Sequence, residues 1–208
     1  MNSLLAELVA DLSLSGTIRD DMTAFLVHHG FAETVGHSMR VAAEAKRIAG
    51  VFAADETAAE VAGWLHDISA VFPNPQRAQI ARELGVEVLP EEDNFPMIVH
   101  QKLSVVIARE IFGVRNRDTL SAIGCHTTLK GGSSILDKVV FVADKIKCDQ
   151  PGEPPYLQEI LDALQLSLDR AAFCYLDFLW QNREHLAGPI HPWVIEAHGE
   201  LARELDNG

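Results

Sequence analysis

The chain has 208 residues, of which 48% are hydrophobic and 23% are charged, a composition typical of an ordinary globular domain. Its formal net charge is −13, and 17 Lys and Arg scattered among 30 Asp and Glu offer no basic patch for duplex nucleic acid or an anionic membrane. No apolar run reaches the roughly 18 residues of a membrane-spanning helix, and the N-terminus lacks the basic segment of a signal peptide. We therefore expect a cytoplasmic protein, for which a phosphorylated metabolite stays open as a ligand.

Helical periodicity runs through nearly the whole chain, without a convincing two-residue alternation of the kind that indicates a β-strand. In the first half, Gly30 is placed to end one helix and Asp55 to cap another. Pro73 breaks the chain, and Pro75 suits the first position of the helix that follows. The helices predicted before residue 85 cover residues 4–14, 17–29, 33–52, 55–67 and 75–84.

The second half begins with residues 85–96, which two prolines and three successive acids predict to be a loop. Ser133 or Ser134 is expected to cap the helix that ends at Asp144, and the proline-rich run 150–155 is the strongest break in the chain. The helices predicted here cover residues 97–112, 118–128, 135–144, 156–185 and 192–205. Without a repeat or a long linker, the pattern predicts an all-α fold in a single domain, residues 1–208.

His66 and Asp67 stand side by side at the end of an apolar helix. Adjacent helical residues point about 100° apart, because a turn takes about 3.6 residues. Their side chains therefore converge only beyond a helix end, around a cation. A hydrogen-bonded His–Asp pair is nevertheless the simpler explanation when these two residues are taken alone.

Four more residues turn this pair into a pattern. His37 lies in the preceding predicted helix, and His100 lies in the first turn of the helix after the acidic loop. The next two predicted helices end near His126 and Asp144. Imidazoles and carboxylates from successive helices are the ligands that metal sites in helical bundles use. Because nearly all of these positions lie in or beside hydrophobic sequence, we predict a metal site with the ligands His37, His66, Asp67, His100, His126 and Asp144.

The order of these residues resembles a known family. His37, His66-Asp67 and Asp144 resemble the H…HD…D signature of the HD-domain metal-dependent phosphohydrolases, and the two added histidines resemble its dinuclear branch. The segments HSMRVA, LHDI, HTT and FVAD are similar to YqeK-type proteins, which are bacterial symmetrical bis(5'-nucleosyl)-tetraphosphatases. The resemblance covers about residues 35–147, so we expect an HD-domain helical bundle with its core at residues 33–148 and additional C-terminal helices over residues 155–206.

The resemblance implies a dinuclear metal site. One ion would be held by His37, His66, Asp67 and Asp144. Asp67 would bridge to a second ion bound by His100 and His126, and these three residues would carry the catalysis. Imidazole and carboxylate ligands suit first-row ions such as iron and manganese, and the family precedent favours two iron ions, divalent or mixed-valent. A hydroxide shared by both metals would then attack phosphorus in line with the leaving oxygen.

Substrate contacts are expected from basic and hydroxyl groups near these ligands. Arg40 lies three residues after His37 and so on nearly the same helix face. The other expected contacts are Lys102, Thr127, Thr128 and Lys130. The chain departs from the related proteins at Ala70, where they carry Lys in an H-D-x-A-K pattern, and Lys130 is the residue expected to supply that charge.

The resemblance implies hydrolysis of a phosphoanhydride in a nucleoside polyphosphate, with diadenosine tetraphosphate giving two ADP as the leading reaction. One alternative keeps the metal site and changes the substrate to a monoester, a triphosphate or a cyclic dinucleotide. Another is a non-catalytic nucleotide or metal sensor, in which Ala70 marks the loss of activity. A di-iron oxygenase has precedent on this scaffold, but no residue selects it, and a homodimer stays open as the assembly.

Overall fold

Residues 2–149 and 152–207 are described by a computed structural model. Over these residues the α-helices are α1 (Ser3–Glu7), α2 (Ile18–His28), α3 (Ala32–Val51), α4 (Glu56–Leu65), α5 (Arg77–Glu83), α6 (Pro90–Asn94), α7 (His100–Glu110), α8 (Arg117–Cys125), α9 (Ile135–Ile146), α10 (Leu157–Leu164), α11 (Leu168–Gln181) and α12 (Pro192–Asp206). No β-strand occurs in the described ranges, which confirms the all-α prediction. Within the same ranges, no helix combines the length and apolar character needed to cross a membrane. Gln150 and Pro151, part of the predicted break, lie outside the described residues.

Local capping signals place the helices that carry the candidate ligands. The carboxylate of Asp55 accepts a hydrogen bond from the backbone N–H of Ala58 at 2.9 Å, which starts α4. Ser134 and Asp137 form a reciprocal capping box at the start of α9, with bonds of 3.1 and 2.9 Å. Gly30, with φ of +85°, follows the end of α2. These three boundaries were predicted from the sequence.

Two predicted elements are wrong in extent, and a third predicted helix is divided in the structure. The first helix ends at Glu7, not at residue 14, and the carbonyl of Leu8 accepts a hydrogen bond from His29 Nε2 instead of continuing a helical ladder. The predicted loop 85–96 contains α6, because Pro90 opens a helical turn and the Glu92 carboxylate accepts from Leu89 N–H at 2.8 Å.

The predicted long helix 156–185 is two helices. α10 ends at Leu164 and α11 begins at Leu168. The side chain of Ser167 accepts a hydrogen bond from Arg170 N–H at 3.1 Å and thereby caps α11. The apolar periodicity continues across this break, which is why the sequence pattern did not reveal it.

The helices α3, α4, α8 and α9 pack against one another and form the centre of the bundle. Their contact faces bury apolar side chains such as Val41, Leu65, Ile123 and Val140, each of which stabilises the fold by roughly 1.5–3 kcal/mol. α7 lies beside α8, and the C-terminal helices α10 and α11 cover α9. Five of the six candidate ligands lie on these four helices or directly after them, and His100 opens α7.

Gly63 allows α3 and α4 to approach closely. A methyl group added to Gly63 would lie 2.7 Å from the backbone nitrogen of Ala42, which is closer than packed atoms can stand. The two helix backbones therefore touch at this point, and only glycine fits there. Ala42 is five residues from His37 on α3, and Gly63 is three residues from His66. The close approach of the two backbones therefore helps to set the distance between these histidines.

Candidate metal centre

Three of the candidate histidines are oriented in the same way. His66 and His126 follow the last residues of α4 and α8, and His100 opens α7. Each ring donates from Nδ1 to the backbone carbonyl three residues earlier, at 2.8, 2.8 and 2.6 Å respectively. A carbonyl oxygen accepts only, so the proton is on Nδ1 and Nε2 faces the centre of the bundle.

The first group of ligands joins α3, α4 and α9. The Nε2 atoms of His37 and His66 are 3.1 Å apart. Oδ1 of Asp144 lies 3.3 Å from the first of these atoms and 3.6 Å from the second. Oδ2 of Asp67 lies 3.7 and 3.4 Å from the same two nitrogens. Two imidazoles and two carboxylates therefore converge on one point.

The second group lies on the other side of Asp67. Its Oδ1 atom is 3.3 Å from Nε2 of His100 and 3.5 Å from Nε2 of His126. These two nitrogens are 3.0 Å apart, and the hydroxyl oxygen of Thr127 lies 3.0 Å from His100 Nε2. Because the two oxygens of Asp67 face different histidine pairs, this carboxylate lies between the two groups.

The second group brings three acceptor atoms together, an arrangement that suits a bound cation. Burial is the main cause that lowers the pKa of His100, to about 4, and that also lowers the pKa of His126, so both rings are neutral at pH 7. With their protons on Nδ1, their lone pairs face each other and Asp67 Oδ1. Bonds of about 2.0–2.2 Å from one ion place its ligands roughly 3–3.5 Å apart, as observed. The donor atoms therefore fit a divalent metal.

The first group has a strongly negative potential. Burial alone would lower the pKa of His66, but the charges of Asp67 and Asp144 outweigh it and raise that pKa to about 9. The pKa of Asp67 lies below its ordinary value although burial opposes this, chiefly because the charge of His66 beside it stabilises the carboxylate. Asp144 is also held ionised against burial, chiefly by the charge of Lys145. The negative charges that favour a proton on His66 also favour a cation at this position.

Lys145 is a residue of this centre that the sequence analysis did not identify. Its side chain is buried, and Nζ donates to Asp144 Oδ2 at 2.6 Å. The ammonium group also lies over the rings of Phe141 and Tyr175, 5.3 and 5.2 Å from their centroids. The available signal was a charged residue directly after a candidate ligand in a very apolar helix.

A cavity of about 510 Å³, the main cleft, opens onto both ligand groups. Besides the ligands it is lined by Thr127, Lys145, Asp149, Tyr156 and Tyr175. The two tyrosines come from the C-terminal segment. The sequence did not predict what this segment contributes to the site. That segment therefore forms one wall of the space in front of the candidate ligands.

Two of the expected substrate contacts lie at the main cleft. Thr127 lines it directly. Arg40 lies at its edge with an exposed side chain and forms an ion pair with Asp149, whose other oxygen is 3.2 Å from Nδ1 of His37. A phosphate group that approaches this edge would compete with Asp149 for the guanidinium group.

The structure does not bring the other three expected contacts into the main cleft. Lys102 forms an ion pair with the buried Glu92 at 2.8 Å. Thr128 is buried, with its hydroxyl hydrogen-bonded to an amide side chain. Lys130 donates to Ser121 Oγ at 2.7 Å. Each polar group already has a partner elsewhere, so these three residues are not retained as substrate contacts.

The fold and the two His/Asp groups define a class of protein. A helical bundle whose ligands follow the order H…HD…D is the architecture of an HD hydrolase, and the family model for the HD domain matches residues 34–148. The chain therefore belongs to the HD domain family, as a metallophosphohydrolase.

Individual relatives narrow the comparison. The chain is 30% identical to the symmetrical bis(5'-nucleosyl)-tetraphosphatase of Bacillus subtilis (strain 168), over 70% of this chain and 75% of that protein. It is 46% identical, over 70% of this chain and 73% of the relative, to a Lactococcus lactis subsp. cremoris protein described by its position in the pepC 5' region. A crystal structure of a predicted HD superfamily hydrolase involved in NAD metabolism, from Clostridium acetobutylicum, superposes with a TM-score of 0.82. That protein is 26% identical, and the superposition covers 89% of this chain and 97% of that chain.

Proposed function

We propose that this protein hydrolyses a phosphoanhydride in a nucleoside polyphosphate in the cytoplasm, with diadenosine tetraphosphate giving two ADP as the leading reaction. The position of Asp67 carries the proposal. Its two oxygens face two separate histidine pairs, at 3.3 to 3.7 Å, beside a cleft large enough for phosphates. The relatives named as symmetrical tetraphosphatases support the choice of substrate.

The proposed cofactor is a pair of metal ions, with iron favoured and manganese as the alternative. The first ion would be held by His37, His66, Asp67 and Asp144, and the second by Asp67, His100 and His126. When bound, such a pair of ions would lower the pKa of a water molecule and offset charge on the phosphoryl oxygens. The second group offers three protein ligands to the first group's four, so it has more room for water or substrate.

Other groups of the protein would hold the metal ligands in place and bound the substrate cleft. The backbone carbonyls that accept from Nδ1 hold the imidazoles of His66, His100 and His126 in place, as outer partners of metal ligands do. Lys145 binds the outer oxygen of Asp144 and leaves the inner oxygen for the metal. Tyr156 bounds the main cleft on the side of the C-terminal segment.

The experiment combines metal analysis with a substrate panel. The purified protein is analysed for bound iron, manganese and zinc, then incubated with dinucleoside polyphosphates, nucleoside triphosphates, monophosphates and cyclic dinucleotides. ADP as the sole product from diadenosine tetraphosphate is the expected result. Faster turnover of another nucleotide would move the substrate assignment, and nucleotide binding without any turnover would favour the sensor.

Matched variants separate the metal ligands from general effects of substitution. Asp67→Asn is expected to lose both bound metal and hydrolysis, because an amide cannot supply the negative charge that both groups share. Asp118→Asn changes an exposed carboxylate at the start of α8 and is expected to retain both. An Asp67→Asn protein with full metal content and full rate would overturn the assignment of Asp67.

A further inference from the structure

A second, smaller cleft also opens onto Asp67. It has a volume of about 280 Å³, and we call it the Arg77 cleft because Arg77 and Ala70 line it together with Asp67, Met97 and His100. The last three residues also line the main cleft. The two clefts therefore meet at the carboxylate between the ligand groups and at one histidine of the second group.

Arg77 is a cation without a carboxylate partner. The residue is 9% exposed, and its guanidinium group donates to the carbonyl of Phe72 at 3.0 Å and to that of Met97 at 3.3 Å. Among the described residues it forms no salt bridge, and the nearby acid that acts on its charge is Asp67. Two of its five N–H groups are thus used, and the others remain for a ligand.

The other basic side chains near the metal centre already have carboxylate partners. Lys145 is bound to Asp144 and Arg40 to Asp149. In a chain with a net charge of −13, an anionic ligand needs local positive charge. Arg77 supplies that charge among the residues that line this cleft.

We propose that the Arg77 cleft is a phosphate subsite, in which the guanidinium of Arg77 binds the phosphates of one nucleotide arm of the substrate. The inference rests on the proposed function, because a dinucleoside polyphosphate cleaved in its middle has two arms that must lie on opposite sides of the metal centre. The main cleft takes one arm and the Arg77 cleft takes the phosphates of the other. A guanidinium group suits this task, since it binds phosphate oxygens through paired N–H groups.

The first test measures binding and turnover in Arg77→Gln. Binding of inorganic tripolyphosphate to the metal-loaded protein is measured by calorimetry, and KM and kcat are measured with diadenosine tetraphosphate. Loss of a charge-assisted hydrogen bond weakens binding by roughly 10-fold to 100-fold, so we expect Kd and KM to rise by that factor and kcat to change less. Arg82→Gln, an exposed residue on α5 that pairs with Asp93, is the matched control and is expected to change neither.

Three further variants keep the test decisive if Arg77→Gln also disturbs the fold. The double variant Ala70→Lys with Arg77→Gln lacks the same two backbone hydrogen bonds but restores a cation to the cleft, and we expect it to recover most of the lost affinity. Ala70→Glu leaves those bonds in place and sets a carboxylate in the cleft, so it is expected to raise KM, whereas Ala70→Gln, of the same size, raises it less.

The outcomes distinguish the subsite from the proposed function. Unchanged tripolyphosphate binding and KM in Arg77→Gln would overturn the subsite, as would a loss that added lysine at position 70 does not recover. If the wild-type protein binds tripolyphosphate through Arg77 but does not cleave diadenosine tetraphosphate, the subsite stands and the proposed substrate fails.

Discussion

Lys145 and Asp144, neighbours on one helix, are joined by a hydrogen bond of 2.6 Å from the ammonium to Oδ2 of the carboxylate. The other oxygen of Asp144 lies 3.3 Å from Nε2 of His37, inside the first ligand group. The rings of Phe141 and Tyr175 hold the ammonium from its other side. One oxygen of Asp144 is therefore fixed by Lys145, and the other faces the first ligand group.

Lys145→Met is expected to weaken metal binding, because Asp144 then loses the group that orients it. Loss of such an outer partner typically costs about 10-fold to 100-fold in metal affinity or activity. The measurement is a metal titration of the chelator-treated protein, followed by kcat at saturating metal. Lys46→Met, which removes an exposed lysine of α3, serves as the control. Wild-type metal affinity in Lys145→Met would show that Asp144 needs no such support.

Gly63→Ala is expected to destabilise the fold and to damage the metal centre. The new methyl group would meet the backbone of α3 at Ala42, and this kind of overpacking typically costs about 1–3 kcal/mol. The separation of α3 and α4 would move His37 away from His66. Thermal unfolding and bound metal are the measurements. Gly199→Ala, in α12 with no atom within 4 Å of the new methyl, is expected to stabilise by roughly 0.5–1 kcal/mol.

The sequence alone predicted the helices whose ends are determined locally. Asp55 and Ser134 cap α4 and α9 through hydrogen bonds to residues three positions away. The start of each helix can therefore be predicted from residues that are close in sequence. The sequence also singled out the candidate ligand residues, because nearly all of them stand in or beside apolar sequence.

Other parts of the site depend on contacts between distant segments. Tyr175 reaches Lys145 only because α11 packs on α9. Pro73 marks the break before Arg77, but only the packed fold brings Arg77 back to the region of Asp67. Lys102 looked like a ligand contact in the sequence, but its partner Glu92 lies on a helix that was predicted to be a loop. Tertiary packing decides each of these positions.

Glu92 is expected to make stability depend on pH. This carboxylate is fully buried, 2.8 Å from Lys102 Nζ and 3.2 Å from His191 Nε2. Burial opposes its ionisation, but these two partners and the Leu89 N–H hold its pKa below the ordinary 4.5. A lowered pKa in the folded state contributes stability above pH 4.5, and that contribution is lost as the pH falls through the lowered value.

Glu92→Gln therefore tests the sign of this effect. At pH 7 we expect its free energy of unfolding to be lower than that of the wild type by about 1–3 kcal/mol, and the difference to shrink below pH 4.5. Urea unfolding of both proteins in chelator keeps metal binding out of the comparison. Glu87→Gln, an exposed acid nearby, is expected to leave the pH dependence unchanged. A difference that grows as the pH falls would contradict the assignment.

Metal removal is expected to lower the melting temperature, because the neutral Nε2 atoms of His100 and His126 then face each other at 3.0 Å beside an oxygen of Asp67. A ligand at 100 times its Kd stabilises the folded state by about 2.7 kcal/mol, so manganese added to chelator-treated protein should raise the melting temperature. His126→Gln is expected to lose much of that increase, since the second group keeps only two ligands. His28→Gln, which changes an exposed histidine at the end of α2, should keep all of it. An undiminished increase in His126→Gln would remove His126 from the ligand set.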